Sequence, residues 1–158
     1  MPLAGEQVSG ALGLDPTKDY YFYDFWNDRF AARLNGSAAL VQDLRPGEAR
    51  MLSVHEVEPN PQFLATDRHM MQGCLDLATY PVWNDAHKTL SGASRLVAGE
   101  PYRIMVAMNG FKPVSASAQG AKARIETLDA TNGLAVLTLE SATNGVTERT
   151  VTTDSNTL

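Results

Sequence analysis

Short segments of the chain alternate apolar and polar residues with a period of two, and no window of a dozen residues keeps a helical period. In the segment PYRIMVAM, the side chains of Tyr102, Ile104, Val106 and Met108 fall on one face of an extended chain. The segment GLAVLTLE, residues 133–140, places apolar residues on both faces. Both patterns predict β-strands, and the second predicts a strand that is buried on both sides.

Turn residues separate further strand-like segments. Pro46-Gly47 predicts the central positions of a type II turn. The segment Asn27–Leu34 allows one helical turn at most. Four Asn-Gly pairs predict hairpin tips: Asn35-Gly36, Asn109-Gly110, Asn132-Gly133 and Asn144-Gly145. The other predicted strands are Tyr20–Trp26, Ser37–Leu44, Ala49–Val57, Gly73–Ala78, Thr89–Ser94, a strand around Ile125, and Val146–Thr152.

Many short strands with frequent turn signals predict an all-β protein, an antiparallel β-sandwich of an immunoglobulin-like or jelly-roll-like type. The prolines of the segment 58–61 (EPNP) interrupt strand pairing and predict a boundary. We therefore expect a partial β-sandwich in residues 1–57 and a second β-sandwich in residues 58–158. Three good strands rarely bury enough surface alone, so the first piece should pack on the second or on a neighbouring chain, as in a homo-oligomer.

The charge balance narrows the set of partners. The 158 residues include 13 Lys and Arg against 18 Asp and Glu, a net charge of −5. Such a surface repels phosphate backbones, so we expect no nucleic-acid partner. No apolar stretch approaches the roughly 20 residues that span a bilayer, so we expect no membrane partner. The N-terminal residues lack the pattern of a signal peptide. The single cysteine, Cys74, excludes an internal disulfide and predicts a small, half-buried apolar residue.

Sequence motifs for catalysis or metal binding are absent from the chain. There is no nucleophile elbow, phosphate-binding loop or zinc-protease motif. The histidines His55, His69 and His87 have no metal-ligand spacing, so we expect no metal and no cofactor. The segment 65–69 (ATDRH) suggests an acid–base pair of Asp67 and His69, but successive residues of a strand point to alternate faces, which disfavours one convergent site and favours a structural role. We assign no catalytic residue.

Aromatic residues are concentrated in the run Tyr20–Trp26 (YYFYDFW). Aromatic faces stack on sugar rings, so one interpretation is a carbohydrate platform, and the other is a strand buried on both sides. Asp24, among these rings, is expected to accept backbone hydrogen bonds rather than to perform acid–base catalysis.

A second aromatic segment, YPVWNDAH, contains Pro81, which we expect to break a strand and to place its neighbours in a loop. Binding of a pyranose needs an apolar platform and a few directed polar groups. Trp83 packed over the end of the sandwich is the alternative. The candidate carbohydrate-binding residues are Tyr80, Trp83, Asn84, Asp85 and His87.

Three segments together resemble a known family. Leu12–Asp15 (LGLD), the YYFYDFW run and Leu44–Arg50 (LRPGEAR) resemble the β-sandwich that follows the catalytic barrel in melibiase-like, α-galactosidase-type glycoside hydrolases. The segment 61–73 (PQFLATDRHMMQG) resembles the stretch that follows it in large bacterial members. The resemblance covers roughly residues 11–78.

The resemblance implies a non-catalytic accessory region of a glycoside hydrolase, whose partner is an upstream catalytic barrel. No part of the chain resembles that barrel, so no catalytic residue carries over. The chain also starts downstream of the opening strands of the family's sandwich and looks like a fragment. A stand-alone carbohydrate-binding module that takes an oligosaccharide is the alternative, and a small independent hydrolase is a third. A secreted or periplasmic location would follow only if the parent enzyme carries a signal peptide.

Overall fold

The computed structural model describes residues 1–6, 10–68 and 76–155. The described residues form no helix, and all strand pairs are antiparallel, which confirms the predicted all-β, sandwich-like fold. The chain divides into two compact units, Met1–Val57 and Glu58–Leu158.

The first unit is a three-stranded sheet with the aromatic run at its centre. Tyr20 and Phe22 pack with Leu3 and Leu40 in one hydrophobic core. The central strand is apolar on both faces, as expected for a strand with a neighbour on each side. The sheet order is β2-β1-β3, formed by β1 (Asp19–Asp24), β2 (Arg29–Asn35) and β3 (Leu52–Glu56).

In the first unit, one strand is not predicted and one prediction is wrong. The sequence allows one helical turn at most for Asn27–Leu34 and does not predict the strand β2, which begins at Arg29 and pairs with β1. It predicts a strand for Ser37–Leu44, yet within that segment only Ala39 forms an isolated bridge, to Pro2. In both places long-range pairing decides the backbone state, and local sequence preference does not.

The second unit is a sandwich of two four-stranded sheets, with strand orders β4-β7-β10-β9 and β5-β6-β11-β8. Its core takes residues from both sheets and includes the predicted face of the PYRIMVAM segment. The strands are β4 (Gln62–Thr66), β5 (Leu77–Asn84), β6 (Thr89–Leu96), β7 (Tyr102–Ala107), β8 (Phe111–Ala118), β9 (Lys122–Asp129), β10 (Leu134–Glu140) and β11 (Gly145–Ser155).

Prolines lie in the edge strands of this sandwich. The prediction that Pro81 breaks a strand is wrong, because β5 continues through it, with register shifts on both sides of Thr79. An edge strand tolerates proline because one row of its backbone groups has no partner strand. Pro113 lies in the opposite edge strand, β8. Strands β4 and β8 have no counterpart among the predicted strands, and residues 73–75 of the predicted strand Gly73–Ala78 lie outside the described residues.

One of the four Asn-Gly pairs, Asn132-Gly133, lies at the tip of a hairpin, which joins β9 to β10. Asn109-Gly110 has positive φ angles of 47° and 87° but connects strands of different sheets. Asn35-Gly36 ends β2, and Asn144-Gly145 leads into β11. Positive φ at Asn109-Gly110 therefore marks a turn but does not determine which strands the turn joins.

The hairpins of both units instead share a four-residue loop that follows an Asp or Asn. The side-chain oxygens of Asp24, Asn84 and Asp129 each accept a hydrogen bond from the backbone N–H three residues later, at 3.3, 3.1 and 3.0 Å. The fourth loop residue has a positive φ in each case, at Asp28, Lys88 and Gly133. The Asp or Asn side chain thus replaces a backbone turn bond, which is the ordinary role of these residues in turns.

Candidate functional site

The predicted carbohydrate-binding residues lie at one end of β5 and in the hairpin that joins it to β6. Tyr80, Trp83 and Asn84 belong to β5, whereas Asp85 and His87 belong to the turn. The expectation of a loop around Tyr80 and Trp83 is therefore wrong, because both lie in the edge strand.

Trp83 packs against the sandwich. It is partly buried against the core cluster, opposite the buried Leu90 of β6. Its ring meets the ring of Phe111 edge-on, with the centroids 5.0 Å apart. The ammonium group of Lys88 lies 5.9 Å from the Phe111 centroid, on the surface side of the same contact. The Trp83 ring is therefore partly covered by the core cluster and by Phe111.

The polar side chains beside Trp83 are used to close the hairpin. Asn84 accepts the backbone hydrogen bond from His87 at 3.1 Å. Asp85 accepts from the Lys88 ammonium at 2.7 Å and from the Trp83 indole N–H at 3.4 Å. These bonds hold the pKa of the Asp85 carboxyl below its usual value, with the bond from Lys88 as the larger cause. The groups expected to face sugar hydroxyls therefore already have partners within the turn.

Tyr80 is the most exposed of the candidate aromatics. Its side chain is 57% exposed, and its ring meets the buried Phe63 edge-on, with the centroids 5.5 Å apart. Burial of the rest of the ring raises the pKa of its hydroxyl. Tyr80 thus keeps an accessible ring face, although the neighbouring Trp83 is packed.

The segment around Asp67 has a structural role. Asp67 Oδ1 accepts the backbone hydrogen bond of Arg103 at 3.1 Å, and Arg68 forms an ion pair of 2.6 Å with Glu100. His69 lies outside the described residues, as does Cys74, so the acid–base pair and the environment of the thiol stay predictions. Asp24 accepts bonds from the backbone and side chain of Asn27, which confirms its predicted role as an acceptor.

A cluster of buried polar side chains lies in the second unit, at positions that the sequence patterns do not predict. Tyr102, Ser94, Arg149 and Asp76 are all at most 8% exposed. The Tyr102 hydroxyl donates to Asp76 Oδ2 at 2.5 Å. Burial, and then this bond, raise the pKa of the tyrosine hydroxyl well above its usual range.

Arg149 is the most unusual member of the cluster. It belongs to β11, where it shares the inward face with Val151, and it is 4% exposed. Its nitrogens Nη1 and Nη2 have no hydrogen-bond partner in the part of the chain that the structure describes. Burial lowers the pKa of the guanidinium group. An uncompensated buried charge typically costs about 3–5 kcal/mol, so this arrangement needs a physical explanation.

The sequence contains only a weak signal for this cluster. β11 reads GVTERTVTTDS, and its alternation can be assigned to either face because Thr is common on both. The inward direction of Arg149 follows from the pairing Val151↔Leu90 and Arg149↔Gly92 with β6. The signal in the sequence is that Arg149 lies two residues before the core residue Val151, because residues at this spacing share one face of a strand.

Neither a metal centre nor a membrane-spanning helix is found among the described residues. In residues 1–6, 10–68 and 76–155, no group of three His, Cys, Asp or Glu side chains is placed to hold a metal ion. The same ranges contain no helix of the length and hydrophobicity needed to cross a bilayer.

The fold and these contacts define an all-β protein whose second unit is a two-sheet antiparallel sandwich. Comparison of the chain with models of protein families, with curated proteins and with solved structures found no significant match in any of the three.

Proposed function

We propose that the chain is a non-catalytic accessory β-sandwich region of a carbohydrate-active enzyme, in which it supports a catalytic barrel or the assembly of the enzyme. The observation that carries the proposal is the burial of the aromatic side chains. Tyr20, Tyr21, Phe22 and Tyr23 of the aromatic run are each at most 7% exposed. A stacking platform needs open ring faces, whereas a scaffold buries its rings.

The segments that resemble melibiase-like glycoside hydrolases also have structural roles. The run Tyr20–Trp26 supplies the central strand β1 and the start of its hairpin. Pro46-Gly47 forms a turn closed by a 2.9 Å bond from Glu48 N to Arg45 O, with a φ of 85° at Gly47, in agreement with the predicted type II turn. The segment that begins at Pro61 supplies the buried strand β4. Core and turn residues of this kind suit a supporting role.

The complete reading frame that encodes this chain provides the test. We expect it to encode a catalytic barrel upstream of residue 1. Deleting residues 1–158 from the complete protein should lower its melting temperature or change its oligomeric state. A reading frame without such a barrel, or a deletion that changes neither property, would contradict the proposal.

The chain alone should not hydrolyse nitrophenyl α-galactosides or glucosides. The sequence contains no nucleophile motif, and the resemblance covers only segments outside the catalytic barrel, so we expect rates equal to the buffer control. The measurement is nitrophenolate release by the repurified chain, with a commercial α-galactosidase as the positive control. Turnover that survives repurification and disappears on substitution of one carboxylate would show that the chain is an enzyme.

A carbohydrate-binding module is the second candidate because Tyr80 keeps an exposed ring. Trp83→Ala and Tyr80→Ala separate the two functions. We expect Trp83→Ala to lower the free energy of unfolding by about 3 kcal/mol, because it removes a ring packed on the core. Tyr80→Ala should cost less, about 1 kcal/mol, because the ring is more than half exposed.

Titration with galacto-oligosaccharides at millimolar concentration, followed by NMR, measures binding in the same variants. We expect no saturable shifts in the wild-type protein. Saturable binding that Tyr80→Ala abolishes while the variant remains folded would instead establish a binding module.

A further inference from the structure

Among the described residues, Nη1 and Nη2 of Arg149 have no hydrogen-bond partner. The carboxylate of the cluster is Asp76, one oxygen of which accepts the Tyr102 hydroxyl. Asp76 Oδ1 also has no hydrogen-bond donor among the described residues. The two charges therefore influence each other only at a distance.

A small cavity lies beside Arg149 between the two sheets. It has room for about one water molecule. Arg149 alone is charged among the described residues that line it, and the others, which include Phe63, Leu90, Ile104 and Val151, are apolar.

The backbone leaves space for the guanidinium group at this place. A Cβ atom on Gly92, the β6 partner of Arg149, would lie 2.6 Å from Arg149 Nη1 and 3.0 Å from the carbonyl oxygen of Thr79. The glycine therefore allows the arginine to lie across β6, next to the irregular part of edge strand β5. The pairing of Arg149 with Gly92 therefore determines where the guanidinium group lies.

The charge and size of the cavity indicate which kind of ligand it can bind. The guanidinium group offers only donors and a positive charge, so its partner must accept hydrogen bonds. A neutral water would leave the buried positive charge uncompensated, whereas an anion compensates it. A carboxylate, phosphate or sulfate is larger than the space. We propose that the cavity binds a monatomic anion of the chloride type, held by Arg149. This inference is independent of the function proposed above.

Unfolding in different sodium salts tests the proposal on the full chain. Urea unfolding is measured in sodium chloride, sodium bromide and sodium gluconate at equal ionic strength. A ligand that binds only the folded state at 100 times its dissociation constant lowers the unfolding equilibrium constant about 100-fold. We expect chloride and bromide to stabilise the protein relative to gluconate, whose anion is too large for the cavity.

Arg149→Met should fold, because an apolar chain of similar length replaces the buried charge. It should also lose the difference between the salts. Arg95→Met is the matched control, since Arg95 lies on the neighbouring strand with an exposed side chain, and it should keep the difference. If Arg149→Met does not fold, Arg149→Lys keeps the charge and should shift the anion dependence without abolishing it.

Crystals of the wild-type protein grown in sodium bromide identify the occupant by anomalous scattering. A bromide peak within hydrogen-bond distance of Arg149, together with the salt effect, supports the proposal. A peak without any salt effect marks an adventitious ion only and overturns it. A water at this position, or a guanidinium group paired with Asp76, overturns it as well.

Discussion

Gly36→Ala should destabilise the first unit by about 3 kcal/mol or more. A Cβ atom at this position would lie 2.0 Å from the backbone oxygen of Asp15 and 2.8 Å from its carbonyl carbon. Backbone atoms cannot rotate away as a flexible side chain can, so the turn at Asp15 must move. That movement would also strain the 2.8 Å bond from Gly36 N to Lys18 O. Overpacking usually costs about 1–3 kcal/mol, and a contact with backbone belongs at or above the upper end.

Tryptophan fluorescence can follow this unit separately, because the chain has two tryptophans, Trp26 in the first unit and Trp83 in the second. Urea unfolding of Gly36→Ala is therefore measured in a Trp83→Phe background. Gly47→Ala is the matched control. Gly47 has a φ of 85°, but no atom lies within 4 Å of the position that an added methyl group would take, so its cost is backbone strain of about 1–2 kcal/mol. Equal losses in the two variants would contradict the explanation by close contact.

Asp76→Ala should destabilise the second unit by about 3 kcal/mol. The substitution leaves the fully buried Tyr102 hydroxyl without the acceptor that it now bonds at 2.5 Å. A buried polar group without a partner costs about 1–3 kcal/mol. The substitution also removes the negative charge nearest to Arg149, and removing one partner from a set of buried charges costs about 3–5 kcal/mol in contacting pairs. Because Asp76 and Arg149 do not form an ion pair, we expect the total loss of stability to lie near the lower limit of the second range, at about 3 kcal/mol.

Asp76→Asn distinguishes the charge from the hydrogen bond. It keeps an oxygen that can accept from Tyr102 but removes the charge, so we expect a smaller loss than in Asp76→Ala. Tyr102→Phe completes a double-mutant cycle, and the two substitutions should not be additive. Urea unfolding followed by Trp83 in a Trp26→Phe background gives the free energies. A loss below about 1 kcal/mol for Asp76→Ala would show that the pair contributes little.

The sequence places Tyr80 and Trp83 in a loop, and this backbone setting is wrong, whereas carbohydrate binding by these residues stays a prediction. Aromatic content and Pro81 identify Tyr80 and Trp83, and the usual effect of proline predicts the end of the strand there. The structure keeps the strand because β5 lies at a sheet edge, where the missing N–H group costs little. Whether a strand is central or at an edge depends on the pairing order, which the local sequence does not contain.

By itself, the sequence determined the fold class and the faces of the strongest strands. In PYRIMVAM and GLAVLTLE, the predicted face residues Tyr102, Ile104, Leu137 and Leu139 all entered the core. In PYRIMVAM the period-two pattern marks one face for burial, whereas GLAVLTLE is apolar on both faces and is buried on both. The type II turn at Pro46-Gly47 was equally local, since proline and glycine restrict φ without help from the rest of the chain.

The tertiary structure alone decided which strands are neighbours and which side chains face the core. It placed Arg29–Asn35 in a strand, joined β7 to β8 of the other sheet through Asn109-Gly110, and directed Arg149 inward opposite Gly92. Each outcome depends on which strand is the neighbour of the segment in the sheet. Strands that are far apart in the chain pair because the complete sandwich buries apolar surface, and a local segment does not contain that information. For the same reason, the burial of Arg149, whose Nη1 and Nη2 have no hydrogen-bond partner among the described residues, becomes visible only once the two sheets are in place.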